Sequence, residues 1–171
     1  MDAGLVTVGS GLIADLVQVL GRERVVTDPG ELAFHSEDVY RRGEMPAALI
    51  RPADTEQLSA ALKAIAASGV AVVPRGGGMS YTDGYLPTRA GSVMVDMLSM
   101  NRVVTIDAED CYVTVECGAT WKQLFDALAP HGVRTPYYGP LSGLRSSIGG
   151  ALSQGSIFLG SGRYGAVAES V

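Results

Sequence analysis

Three consecutive glycines, Gly76-Gly77-Gly78, follow the apolar run Val70-Ala71-Val72-Val73, and Ser80 stands two residues beyond them. Glycines lack a Cβ, so successive backbone N–H groups can converge on one point and hold an anion. Ser80 would add a hydroxyl donor. A plain flexible turn is the other reading of a triple glycine, and the residue types alone leave both open. The common nucleotide loops do not fit. Gly76-x-Gly78-x-x-Tyr81 lacks the last glycine of the dinucleotide fingerprint, and no Lys-Ser/Thr pair follows as in a P-loop. Thr82-Asp83-Gly84 and Pro87 oppose a long helix at this point. An anion here would be held by loop amides and not by a helix dipole.

Glycine is concentrated elsewhere too. The chain has 171 residues and 22 glycines, against roughly 12 at average usage. Five fall between Gly76 and Gly91 and eight between Gly139 and Gly165. This clustering excludes a collagen repeat and a uniform linker. Other chemistry is sparse. Cys111 and Cys117 are the only cysteines and could share one face of an extended segment. They are expected to be reduced and buried as small apolar side chains. With only His35 and His131 beside them, no metal site is expected. His131 reads as a polar cap at a helix C-terminus, and His35 sits in a poorly patterned region. No nucleophile–base pair and no paired carboxylates are visible, so no catalytic residue is assigned.

Composition bounds the class. Apolar residues make up 47 % and charged residues 18 %, too apolar for disorder. The net charge is −5 with no basic run, which argues against nucleic-acid binding and a polybasic membrane patch. No apolar stretch approaches the roughly 18 residues of a membrane span. The N-terminus lacks a cationic region before its apolar residues, so no signal peptide is expected and a cytoplasmic location is.

The elements that must position the glycines follow from periodicity. Ser10 caps a helix carrying Leu12, Ile13, Leu16, Val17 and Leu20 on one face, and Gly21 suits its end. Arg22–Glu44 reads as turns and at most a short helix. Ala47–Ile50 predicts a strand. Asp54 with Gln57 predicts a capped helix bearing Leu58, Ala61, Leu62 and Ile65, stopped by Gly69. Val70–Val73 then predicts a second strand, apolar on both faces as a covered parallel strand should be, closing a βαβ unit. Strands are expected at Ser92–Asp96, Val103–Ile106 and Tyr112–Glu116. Thr120 and Gln123 predict a capping box on a helix that buries Leu124, Phe125 and Leu128 and ends at Gly132. A small-residue helical turn is expected at Ile148–Ser153.

Read in order, three segments resemble a known family. Arg51-Pro52 and Val72-Val73-Pro74-Arg75-Gly76-Gly77-Gly78-Met79-Ser80 form the first match. Val115-Glu116-Cys117-Gly118-Ala119-Thr120-Trp121 with Leu124 is the second. Ser147-Ile148-Gly149-Gly150-Ala151-Leu152, with Gly162-Arg163-Tyr164-Gly165, is the third. Their order and spacing are similar to the FAD-binding domain of the vanillyl-alcohol oxidase/p-cresol methylhydroxylase superfamily, from about Gly21 onward. The resemblance implies an α+β fold of the PCMH type. A small parallel βαβ subdomain would join a mixed or antiparallel β subdomain with flanking helices. Residues 1–45 would be an N-terminal helix and irregular lead-in, and residues 46–171 the FAD-binding domain.

The resemblance also implies roles. Gly76, Gly77, Gly78, Met79 and Ser80 would cradle the FAD pyrophosphate, with Pro74 and Arg75 leading in and Tyr81 following. Pro140 and Leu141 would line the flavin or ribityl chain. Ser147, Gly149 and Gly150 would bring backbone against the cofactor. Gln154, Gly155 and Ser156 would contact the ribityl or isoalloxazine region. Tyr137-Tyr138 could stack near a flavin or pack half-buried. Some relatives attach FAD through a histidine just after the glycines. Met79 stands there, so non-covalent FAD is expected. Relatives continue past the point matched by Val171 into strands that complete the domain and into a substrate domain. The chain is therefore expected to be the N-terminal portion of a larger enzyme. That enzyme would take a hydride from a C–H next to oxygen, in an alcohol or a 2-hydroxy acid, and pass electrons to an unassigned acceptor. The alternative is a catalytically silent cofactor-binding module or interaction fragment.

Overall fold

The computed structural model describes residues 10–137 and 142–171. They form two compact units. One holds the chain up to Arg75 together with Ser80–Ser99, and the other holds Gly76–Met79 together with Met100–Val171.

The first unit is built on a four-stranded sheet. In chain order its elements are α1 (Ser10–Leu20), β1 (Val25–Val26), α2 (Pro29–His35), β2 (Ala48–Ile50), α3 (Thr55–Ala67), β3 (Val72–Arg75) and β4 (Val93–Asp96). The strand order is β1-β2-β4-β3. β2 and β3 both run parallel to β4, and β1 pairs antiparallel with β2. The period-2 alternation of a strand divides the two faces. Ala48, Ile50, Val93 and Val95 pack with Leu12, Leu16 and Leu20 of α1 and Ala61 and Ile65 of α3. Leu49 and Met94 point the other way, into a smaller cluster with Val26 and Leu32. β2 and β4 are buried along their whole length, as central parallel strands must be.

Local signals set the helix ends. The Asp54 side chain accepts from the Gln57 amide at 2.8 Å and starts α3. Gly69, at φ 69°, lets the chain leave it. The structure departs from expectation at β3. The strand begins at Val72, and its burial is confined to Arg75. β4 is inserted between β2 and β3, which leaves β3 at the sheet edge. An apolar run therefore does not guarantee a covered strand, and Pro74, with no N–H to offer, is tolerated at an edge. Similarly, the lead-in is more ordered than its pattern implies. α2 begins at Pro29 behind Asp28, whose side chain accepts from the Glu31 amide at 2.9 Å. The two-residue β1 is too short to show a period.

The second unit carries the hairpin β5 (Val103–Asp107) and β6 (Tyr112–Val115), then α4 (Trp121–Leu128), α5 (Ile148–Ser153) and α6 (Ser161–Tyr164). Trp121, Tyr137, Ala151 and Val167 form its buried core, with Ile148, Leu152 and Phe158 packed against it. The capping box at α4 is complete: Thr120 and Gln123 satisfy each other's backbone amides. Thr120→Ala is expected to lower stability by about 1 kcal/mol, read as the shift in a urea midpoint followed by Trp121 fluorescence.

Two expectations fail in this unit. Phe125 is 53 % exposed. Trp121, Leu124 and Leu128 take the inward stripe, and Phe125 falls about 100° around the helix from Leu124. Cys111 and Cys117 are both exposed. β6 starts only at Tyr112, so Cys111 is a turn residue in the left-handed region, at φ 57°. Cys117 lies beyond the strand's other end. No described helix is long and apolar enough to cross a membrane.

Candidate functional site

The loop Gly76–Met79 leaves β3 directly after Arg75. Gly77 is buried and its neighbours are partly buried. Among the described residues, the amides of Gly77, Gly78 and Met79 make no hydrogen bond within the protein. Three successive amides in this partly buried loop are thus donors that the described fold does not use.

The structure gives a sharper reason for these glycines than anion space alone. Gly78 has φ 66°, where only glycine is unstrained. A Cβ on Gly77 would overlap the Arg145 carbonyl oxygen and lie 2.6 Å from the Arg145 carbonyl carbon. A Cβ on Gly76 would overlap the Ser147 Oγ, with the Ser147 Cβ at an ordinary 3.5 Å. The loop therefore seats directly on the backbone of residues 145–147, which belong to the second glycine window.

That seat is itself fixed. The Ile148 amide donates to the Ala119 carbonyl at 2.8 Å, the Gly149 amide to Cys117 at 2.8 Å, and the Trp121 amide to Ser146 at 3.2 Å. Thr120 and Ser147 form an antiparallel bridge. Gly149 is needed for this approach, because its Cβ would stand 2.6 Å from the Cys117 Cβ and 2.8 Å from its carbonyl oxygen. Ser147 is buried and caps α5, accepting from the Gly150 amide at 3.2 Å. The structure thus brings Gly76, Gly77, Ser147, Gly149 and Gly150 into one packed assembly.

Gln154 ends α5, and Gly155 follows at φ 57°. The Ser156 amide donates to Ala151 at 3.0 Å. Ser80 Oγ accepts from the Thr82 amide at 3.2 Å and pairs with the Thr82 hydroxyl at 3.1 Å. Tyr81 is exposed, and no helix follows the loop before β4. Pro74 and Arg75 end β3, and the buried Arg75 guanidinium lies over the Tyr85 ring at 5.2 Å. Tyr137 is buried, with its hydroxyl against the carbonyls of Tyr164 and Ala166 and 2.7 Å from Ser170 Oγ, so it ties down the chain end. Pro140, Leu141 and Tyr138 lie outside the described residues.

Sequence reading missed Arg145, whose contribution is a carbonyl and leaves no side-chain signature. It also missed the surroundings of His35, where Arg51 and Asp96 converge with Glu31. Those residues are far apart in the chain, and only the strand order joins them.

Known proteins are similar to this chain along most of its length. The chain is 32 % identical over 169 residues to the mitochondrial D-lactate dehydrogenase [cytochrome] 1 of Saccharomyces cerevisiae, covering 94 % of this chain and 28 % of that protein. It is 31 % identical over 157 residues to glycolate oxidase subunit GlcD of Bacillus subtilis, covering 91 % and 33 %. The chain thus spans about a third of the length of the curated relatives it matches. Among solved structures, an alkyldihydroxyacetonephosphate synthase superposes with TM-score 0.84 at 20 % identity, over 94 % of this chain and 35 % of that one. A substrate-bound p-cresol methylhydroxylase superposes with TM-score 0.63 at 23 % identity, over 71 % and 24 %. Residues 46–171 match the family model described as an FAD binding domain, and the chain belongs to that family, with the PCMH-type fold.

Proposed function

We propose that the loop Gly76–Met79 holds the pyrophosphate of a non-covalently bound FAD. The reading is carried by the three uncommitted amides of Gly77, Gly78 and Met79 in a loop whose glycines cannot be replaced without overlap or strain. Such a donor set suits an anion in a chain of net charge −5, because amides attract phosphate without formal positive charge. Ser147, Gly149 and Gly150 hold the seat beneath the loop, and Gln154, Gly155 and Ser156 are proposed to face the ribityl and isoalloxazine side. Met79 occupies the place where a covalent attachment would need a nucleophilic side chain, and its thioether supplies none.

Bound FAD would supply a two-electron acceptor for a C–H next to oxygen. The residues of this chain bind and orient it. The proposed substrate class is a 2-hydroxy acid, because two relatives are named for lactate and glycolate. With about a third of those relatives' length, the 171 residues alone are proposed to bind cofactor without turnover.

The purified chain mixed with FAD should retain a flavin absorption spectrum after desalting, and denaturation should release all of the flavin. A colourless protein that takes up no FAD overturns the binding site. Flavin that stays with the denatured chain overturns the non-covalent reading. Gly78→Val should abolish uptake while the sheet unit stays folded, since a β-branched side chain at φ 66° is strained. Retained affinity in that variant would place the pyrophosphate elsewhere.

A further inference from the structure

Four charged or titratable side chains meet His35 in the sheet unit. Arg51 follows β2, Arg75 ends β3, Asp96 ends β4, and Glu31 lies one turn back on α2. Arg51 donates to Glu31 Oε1 at 2.7 Å through the same nitrogen that stands 3.3 Å from His35 Nε2. Its Nε faces Asp96 Oδ2 at 3.6 Å. His35 is 8 % exposed, and its Nδ1 is buried without a hydrogen-bond partner. A guanidinium can only donate. His35 Nε2 must therefore accept, which makes the ring neutral with its proton on Nδ1.

We propose that His35, Arg51, Glu31 and Asp96 form a proton-operated latch that fastens α2 to the carboxyl ends of the parallel strands. Protonating the ring turns Nε2 from acceptor to donor. The Arg51 hydrogen bond is lost, and two positive charges are left in contact in a partly buried site. Glu31, 3.9 Å from Nε2, and Asp96 favour the charged ring, but burial, Arg75 and Arg51 oppose it. α2 is then held on the sheet by Leu32, in the small cluster with Val26, Leu49 and Met94, and by the Glu31–Arg51 pair, without the His35 contact.

The direction of the proton equilibrium agrees. Burial first, then Arg75 and Arg51, push the His35 pKa below 6.5, against the opposing pull of Asp96 and Glu31. The unfolded chain takes up the proton before the folded one as pH falls. The latch's contribution is complete above about 6.5 and declines from there toward the folded midpoint.

The experiment compares hydrogen-exchange protection of the α2 amides, corrected for intrinsic rates, at about pH 7.5 and about pH 5. The wild-type chain should be less protected at the lower pH than at the higher, in the direction set by a lowered His35 pKa. His35→Gln, whose carbonyl can accept from Arg51 without titrating, should keep the same protection at both. Equal wild-type protection at the two pH values, or the same loss in His35→Gln, overturns the latch. Should His35→Gln fail to fold, NMR titration of the wild-type His35 ring decides. A midpoint below 6.5 with α2 amide shifts following the same curve supports it. A midpoint at or above 6.5, or α2 shifts that ignore it, overturns it.

Discussion

Gly77→Ala is expected to abolish FAD uptake and to destabilise the second unit by about 3 kcal/mol, the upper range for forced overpacking. The added methyl overlaps the Arg145 carbonyl oxygen and stands 3.2 Å from the Ser146 amide nitrogen. These are backbone atoms, and the backbone on either side of them is hydrogen-bonded to residues 117–122. No side-chain rotation can relieve the overlap, so the loop must lift off its seat. The measurement is a urea unfolding curve read from Trp121, the only tryptophan and part of this unit's core, together with flavin retained after desalting. Gly162→Ala is the control. Nothing would lie within 4 Å of the new methyl there, and the φ of Gly162 is ordinary, so a change within about 0.5 kcal/mol is expected. If Gly77→Ala behaves like this control, the loop does not seat as described.

Gly76→Ala should cost less than Gly77→Ala but still displace the loop, and Ser147→Ala should rescue it. The methyl of Ala at position 76 meets one mobile atom, Ser147 Oγ, while the Ser147 Cβ beneath stays at van der Waals distance. Deleting the hydroxyl opens the space. It also removes the cap that accepts from the Gly150 amide, at a cost of about 1 kcal/mol. The double variant should therefore be more stable than Gly76→Ala and less stable than wild type. It should also regain FAD binding, because the amides of Gly77, Gly78 and Met79 keep their course. A double-mutant cycle gives the coupling directly. Purely additive losses would mean that Gly76 and Ser147 do not touch. Recovered stability without recovered FAD would separate the packing of the loop from its proposed use.

Much of the local structure was legible in the sequence because its causes are local. The spacing of Leu12, Leu16 and Leu20, the Asp54–Gln57 and Thr120–Gln123 caps and the stop at Gly69 each act within one or two turns of helix. Helix α5 covers Ile148–Ser153, where its small residues predict a helical turn. The triple glycine was equally visible as a loop that needs unusual backbone. What failed was decided by neighbours distant in the chain. Val72 and Val73 are apolar enough for a covered strand, but β4 took the inner place and left them at the edge. Phe125 reads as core until Trp121 claims the inward position. Cys111 reads as a buried small apolar residue until the hairpin turn takes it.

By itself, then, the sequence determined most of the longer helices and strands, and which two windows are rich in glycine. Only the tertiary structure decided what those glycines touch. Gly77 is glycine because the backbone of Arg145 and Ser146 lies against it, Gly76 because the Ser147 side chain does, and Gly149 because Cys117 does. The same holds for His35, which had no pattern of its own and acquires its charged surroundings only when the strands place Arg51 and Asp96 beside it. A close approach between segments some seventy residues apart involves backbone atoms that every residue carries. No side-chain pattern encodes it in advance.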